Sequence, residues 1–196
     1  MDICYVTSNQ KKFDEACHVL YQNEADKQLY RIRHAFIHLD EIQGTPQEIA
    51  KHKAKEAYSK LRAPVIIDDV SVHFPAIGGM PGPYIRSFLE ALGDNGLYTL
   101  ISHYADHTCY VTCTIGFLEN EHTEPHIFQS TMKGTIVAPR GTLTHHGKTS
   151  WNRIIQPDGF DTTVAELTLE EISRISPRGA AIGQLKEFLR EKGKNR

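Results

Sequence analysis

Residues 64–67 read Pro64, Val65, Ile66 and Ile67, a short β-branched run that closes on two adjacent carboxylates, Asp68 and Asp69. A run without polar alternation belongs to a strand covered on both faces, the habit of a parallel sheet flanked by helices. Residues 2–7 have the same character, and residues 31–39 alternate as a further strand. Between those two, residues 10–21 place Phe13, Cys17 and Leu20 on one helical face. A second helix opens at Thr45-Pro46-Gln47-Glu48: Thr45 stands at the N-cap, Pro46 at the first helical position, and Glu48 completes a capping box. Ile49, Ala50, Ala54, Ala57 and Leu61 give that helix its buried stripe.

After the paired aspartates comes a segment dense in glycine and proline, residues 74–83. So many restricted and permissive residues in one span specify a tight turn. It is either a packing turn between a strand and a helix or part of a substrate cleft. An apolar helix is expected over residues 84–92, and strands over 109–118 and 127–137, joined by a polar turn. Ser176-Pro177 opens the last helix, with Ile182, Leu185 and Leu189 facing inward before a basic tail at 192–196. This order predicts an α/β fold with a mixed, partly parallel twisted sheet and one long antiparallel hairpin. No repeat or linker divides the 196 residues, so they are expected to form a single domain of one or two lobes.

Charge narrows the possible partners. With 22 basic and 24 acidic residues the formal charge is −2, and no nucleic-acid-coating surface is expected. No apolar run approaches a membrane span, and residues 1–7 read as a strand rather than a signal segment. A cytoplasmic protein without a membrane partner is therefore expected. Cys4, Cys17, Cys109 and Cys113 form no CxxC pair; they read as small core residues in a reducing compartment, with zinc ligation the minor alternative. The histidines, His145-His146 included, lack metal-ligand spacing and read as surface residues.

Ligand sites in open α/β sheets lie beyond the carboxyl ends of strands. Two polar clusters fall there. The first is Thr7-Ser8-Asn9-Gln10-Lys11-Lys12 at the start of a helix, with Glu15 about one turn further on. Unpaired N–H groups and the helix dipole make such a place a phosphate cradle; a capped, solvated first turn is the alternative. The second cluster is Asp68-Asp69. Adjacent strand residues point to opposite faces, so one aspartate is expected to enter the site and the other to make structural bonds. Glu41 follows the second strand and could converge on the same place. Glu15, Glu41 and Asp69 together would be an all-oxygen site suited to Mg²⁺ or Mn²⁺.

The order of these pieces resembles the inosine triphosphate pyrophosphatase family. Thr7-x-Asn9-x-x-Lys12-x-x-Glu15 looks like its opening motif, and Leu39-Asp40-Glu41-Ile42-Gln43-Gly44 its second acidic segment. Ile67-Asp68-Asp69 and Gly78-Gly79-Met80-Pro81-Gly82-Pro83-Tyr84-Ile85 follow. Gly134-x-Ile136-Val137-Ala138-Pro139-Arg140-Gly141, Gln156-Pro157-Asp158-Gly159 and Ala165-Glu166 complete the series. The resemblance implies a two-lobed α/β fold with helices on both sides of the sheet, a nucleotide held in a cleft between lobes, and a homodimer. It implies hydrolysis of inosine- or xanthosine-type triphosphates to monophosphate and pyrophosphate with Mg²⁺. Thr7, Ser8, Asn9 and Lys12 would hold phosphates. Glu15, Glu41 and Asp69 would bind metal or orient water, and Lys53 would support the acidic cleft.

The departures from that family are specific. Its Phe-Gly-Trp-Asp-Pro segment is replaced by Thr149-Ser150-Trp151-Asn152-Arg153, which keeps Trp151 but turns an aspartate into Asn152. A lysine is replaced by Ile172, and Ser-His-Arg reads Ser176-Pro177-Arg178. Val70 stands where a threonine or serine is usual, with Ser71 and His73 nearby. All of these fall on the nucleotide-holding side, so Val70, Ser71, Trp151, Asn152, Ser176 and Arg178 are the substrate-side candidates. Lys148, Asn152 and Arg153 are new polar groups that could recognise a different base. Two further readings stay open: a hydrolase of the same fold acting on another nucleotide, and a catalytically silent nucleotide-binding protein.

Overall fold

The apolar run near the N-terminus folds as strand β1 (Asp2–Val6) and leads into helix α1 (Gln10–Leu20), as its spacing predicts. This is a computed structural model, and it describes residues 1–142 and 150–194. Two compact units emerge: Met1–Asp69, Cys113–Ser130 and Pro177–Arg196 form one, Val70–Thr112 and Thr131–Ser176 the other.

In the first unit, β1 lies between β2 (Arg31–Ala35) and β3 (Val65–His73) and runs parallel to both. Register decides what each face carries. Tyr5 stands opposite Ile66, so Tyr5, Ile66 and Asp68 share one face of the sheet, and Val6, Ile67 and Asp69 share the other. Helix α3 (Pro46–Leu61) covers the second of these faces, its Ala54 and Ala57 packing with Val6, Val65 and Ile67. The predicted capping box is formed: Glu48 N donates to Thr45 Oγ1 at 3.3 Å, and Thr45 N to Glu48 Oε2 at 2.8 Å. Helix α6 (Pro177–Lys194) packs against α1 and buries Ile182, Leu185 and Leu189, as expected from their spacing.

Two boundaries differ from the sequence expectation. Strand β2 stops at Ala35 rather than residue 39, because β1 ends at Val6, the residue opposite Ala35. Ile37 and Leu39 instead pack onto the apolar cluster beneath α3. Strand β3 does not stop at Ile67; it continues through both aspartates to His73, where β4 (Pro81–Gly82) pairs with Val72 and His73. The helices α2 (Glu24–Leu29) and α5 (Leu169–Ile175) are too short to show a helical period in the sequence.

The second unit is organised around Val72, Phe74, Leu97, Ile101, Val111 and Ile154, all buried. The glycine- and proline-rich segment is its turn: Gly78, Gly79 and Gly82 have φ of 67°, 85° and 58°, a region that side chains resist. The His73 ring closes the turn, with Nδ1 3.1 Å from Gly79 O and Nε2 2.9 Å from Ser71 Oγ. Helix α4 (Ile85–Ser102) is two helical pieces meeting at a kink: the first ends at residue 92, as expected, where Gly93 takes the non-helical φ of 68° and ψ of −179°, and a second piece continues to Ser102. Strands β5 (Thr108–Leu118) and β6 (His126–Ile136) contribute residues to both units, and β7 (Ile155–Pro157) pairs antiparallel with β6. Strand order is β2-β1-β3-β5-β6-β7, with β4 on β3. Among the described residues, no helix is long and apolar enough to cross a membrane.

Candidate active site

The neighbouring aspartates of β3 carry two different clusters. Asp68 faces the side of the sheet approached by α1 and α6, and its side chain is wholly buried. It accepts from Tyr5 Oη at 2.6 Å, Lys12 Nζ at 3.1 Å and Arg178 Nε at 2.7 Å; Lys12 also donates to the Asp68 carbonyl at 3.2 Å. The Cys113 thiol lies 3.8 Å away. Burial alone would raise the Asp68 pKa, but the charges of Lys12 and Arg178 and the Tyr5 hydroxyl outweigh it and hold the carboxyl well below its ordinary range. Burial, together with the negative charge of Asp68, pushes the Tyr5 phenol and the Cys113 thiol up, so both stay protonated. Arg178 spans two carboxylates, donating from Nη1 to Glu15 Oε2 at 2.7 Å as well.

Asp69 faces the other way, toward α3. Lys53 is a buried residue on the otherwise alanine-rich stripe of that helix, and its Nζ lies 2.7 Å from Asp69 Oδ2 and 2.7 Å from Glu41 Oε2. Burial works against the Lys53 charge, yet Asp69 and Glu41 more than offset it and raise its pKa. This cluster is far more open: the side chains of Asp69 and Glu41 are 27% and 73% exposed, against 0% for Asp68.

At the start of α1, Asn9 is the N-cap, its Oδ1 accepting from Lys11 N at 3.0 Å, while Thr7 Oγ1 accepts from Asn9 N at 3.1 Å. These are the bonds of the capped-turn reading, and they leave Ser8 and Asn9 exposed beside half-buried Lys12. An ammonium group has three donors, and Asp68 takes two of those on Lys12.

The structure thus gathers the sequence candidates in two sets: Lys12, Glu15 and Arg178 around Asp68, and Glu41, Lys53 and Asp69 around one ammonium. Glu15 is not brought to Glu41 and Asp69. Among the described residues, the trio with ligand atoms all within 4.8 Å is instead Asp40, His52 and Glu56. The donors nonetheless suit a hard cation. Glu41 and Asp69 offer only oxygen and already converge on a positive charge.

The remaining candidates belong to the second unit. Val70, Trp151 and Ile172 pack against its core. Ser71 is buried against His73. Asn152 is 5% exposed, and its Oδ1 is the one buried side-chain oxygen without a partner among the described residues. Arg153 is bound to Asp94 Oδ2 at 2.9 Å and Gly141 O at 3.1 Å. Ser176 immediately precedes α6. Lys148 and His145-His146 lie outside the described residues. Sequence reasoning gives no role to Tyr5, and expects of the aspartate that stays out of the site only structural bonds, without their partners. The register of β1 on β3 is the missing information, since it alone puts Tyr5 and Asp68 on one face.

Such features define an α/β protein with basic and acidic side chains clustered on both faces of one parallel strand, just past the end of its neighbour. The chain belongs to the Ham1 family, which its residues 3–188 match. It is 36% identical over 195 residues to an inosine triphosphate pyrophosphatase of Giardia intestinalis, covering 98% of this chain and 95% of the relative. It is likewise 36% identical over 192 residues to the inosine triphosphate pyrophosphatase of Scheffersomyces stipitis, covering 95% of this chain and 97% of the relative. A HAM1 protein from Coxiella burnetii has a similar structure, with a TM-score of 0.81 at 24% identity, over 97% of this chain and 99% of that one. The Staphylococcus aureus Ham1 protein aligns at a TM-score of 0.78 and 22% identity, over 98% of this chain and 100% of that one.

Proposed function

We propose that this chain hydrolyses a purine nucleoside triphosphate of the inosine or xanthosine type to the monophosphate and pyrophosphate. The observation that carries the reading is the convergence of Glu41, Lys53 and Asp69 in a chain 36% identical, nearly end to end, to two inosine triphosphate pyrophosphatases. In this reading Thr7, Ser8, Asn9 and Lys12 hold the phosphates at the start of α1. Asp69 accepts the proton of the attacking water. Lys53 remains charged beside it and stabilises negative charge developing on the phosphates. Arg178 presents its remaining N–H groups to the base.

Mg²⁺, or Mn²⁺ on the same oxygen donors, would be held by Glu41 and Asp69; Glu15, the further ligand that the family resemblance implies, is paired with Arg178 instead. When bound, the ion supplies neutralisation of the polyphosphate and a lower pKa for water. A cytoplasmic homodimer belongs to the same reading. The four free cysteines suit a reducing compartment, and Leu92 and Leu100 stand exposed on α4 as apolar contacts for a second copy.

A second reading is an altered base preference: Asn152 stands where the family resemblance places an aspartate, and an amide neither takes a proton nor adds a negative charge. The direct test incubates the protein and Mg²⁺ with ITP, XTP, ATP and GTP and separates the products. Monophosphate with pyrophosphate from ITP or XTP is expected. Release of orthophosphate, or no turnover of either, would contradict the reading.

A further inference from the structure

We propose that Asp68 is a positioning residue for polyphosphate: buried and untouched by substrate, it fixes Lys12 where that side chain meets the phosphates and holds Arg178 in place beside it for the base. This role rests on the reading of Lys12 as a phosphate contact and extends it to a residue that no ligand reaches.

Three observations carry it. First, the cluster is layered. Asp68 is fully buried, while the side chains of Lys12 and Arg178 remain 22% and 18% exposed, so a sealed anion holds two partly exposed cations. Second, the hold is redundant: Lys12 bonds both the carboxylate and the carbonyl of Asp68, and Tyr5 donates to the same oxygen, Oδ2, that receives Arg178. A long, unbranched lysine side chain loses much freedom when clamped twice, and that loss is then not charged to ligand binding. Third, the arrangement is a poor choice if cohesion were its only purpose. Buried ion clusters are often replaceable by apolar residues without loss of stability, because desolvation cancels the attraction.

Positioning and bare electrostatics predict opposite results for Asp68→Asn. Removing the negative charge leaves the site more positive, so if only net charge mattered, polyphosphate would bind more tightly. If Asp68 positions Lys12, polyphosphate binding weakens despite the added positive charge.

The experiment measures inorganic tripolyphosphate binding by calorimetry for the wild type, Asp68→Asn and Asp68→Glu, with KM and kcat for ITP alongside. The proposal expects binding of tripolyphosphate about tenfold weaker in Asp68→Asn, the loss of one charged hydrogen-bond network. KM for ITP should rise in step while kcat falls less, and Asp68→Glu should recover part of the loss. Tyr5→Phe keeps every charge and removes one hydroxyl from Asp68; it is expected to weaken binding about threefold and decides the matter should Asp68→Asn fail to fold. Unchanged or tighter tripolyphosphate binding in the folded variants overturns the proposal. Because tripolyphosphate carries no base, a wild type that binds it but ignores ITP would refute the proposed substrate and leave the positioning role standing.

Discussion

Asp68 and Asp69 are neighbours in sequence and strangers in environment. The first is sealed beneath α1 and α6 with three side-chain donors; the second opens toward α3 and solvent, sharing one ammonium with an exposed glutamate. The strand's two-residue alternation sends them to opposite faces, and what covers each face does the rest. One face receives a helix through alanines and carries Lys53 to Asp69, and the other face receives the two cations that close over Asp68. The lesson is that strand parity gives an acidic pair two environments, one sealed and one open, and the proposed roles follow that split: Asp68 organises and Asp69 does the chemistry.

The largest effect should come from the open member. Asp69→Asn is expected to lower kcat for ITP about 10²–10⁴-fold, the scale of losing a general base, with little change in melting temperature. Lys53→Met should follow with a loss of about 10²-fold, because the charge facing the developing phosphate anion disappears. Normal turnover in either variant would erase the distinction between the two faces.

Asp26 sharpens the comparison from outside the site. It is as buried as Asp68 and accepts from Arg190 at 2.8 Å, with Lys186 at 3.4 Å, yet it touches none of the proposed ligand contacts. Asp26→Asn should cost about 3 kcal/mol in urea unfolding, the low end for breaking a buried pair, while KM stays put. Its pH dependence has a fixed sign. Burial raises the Asp26 pKa, but the hydrogen bonds and charges of Arg190 and Lys186 lower it overall. Its stabilisation is therefore complete above the unfolded value of about 3.9 and is lost as pH falls through the depressed folded value. An acid-unfolding series should show Asp26→Asn losing less stability than the wild type below about pH 4. The smallest effect belongs to Glu41→Gln: at 73% side-chain exposure it should change stability by less than about 0.5 kcal/mol while weakening the dependence on Mg²⁺ a few-fold.

Much of this division is legible in the chain's own residues. The β-branched runs announce parallel strands, the Thr45–Glu48 box announces α3, and the parity rule announces that the two aspartates separate. Which aspartate is buried is not legible there. That depends on how β1 registers on β3 and on which helix lies over each face, and both are long-range facts. The ends of β2 and β3 depart from expectation for the same reason, since strand length is set by a partner's length as much as by a strand's own residues. Arg153 reads as available for a ligand because nothing in its neighbourhood in sequence points to Asp94. The family resemblance singles out Lys53, which by helical spacing alone is one more polar residue on an apolar stripe.

The most direct test of parity is a side-by-side determination of kcat and KM for ITP with Mg²⁺ in Asp68→Asn and Asp69→Asn. The account predicts that Asp69→Asn loses kcat with KM nearly constant, whereas Asp68→Asn raises KM and keeps most of kcat. Equal losses of kcat in both variants, or full turnover by Asp69→Asn, would contradict it.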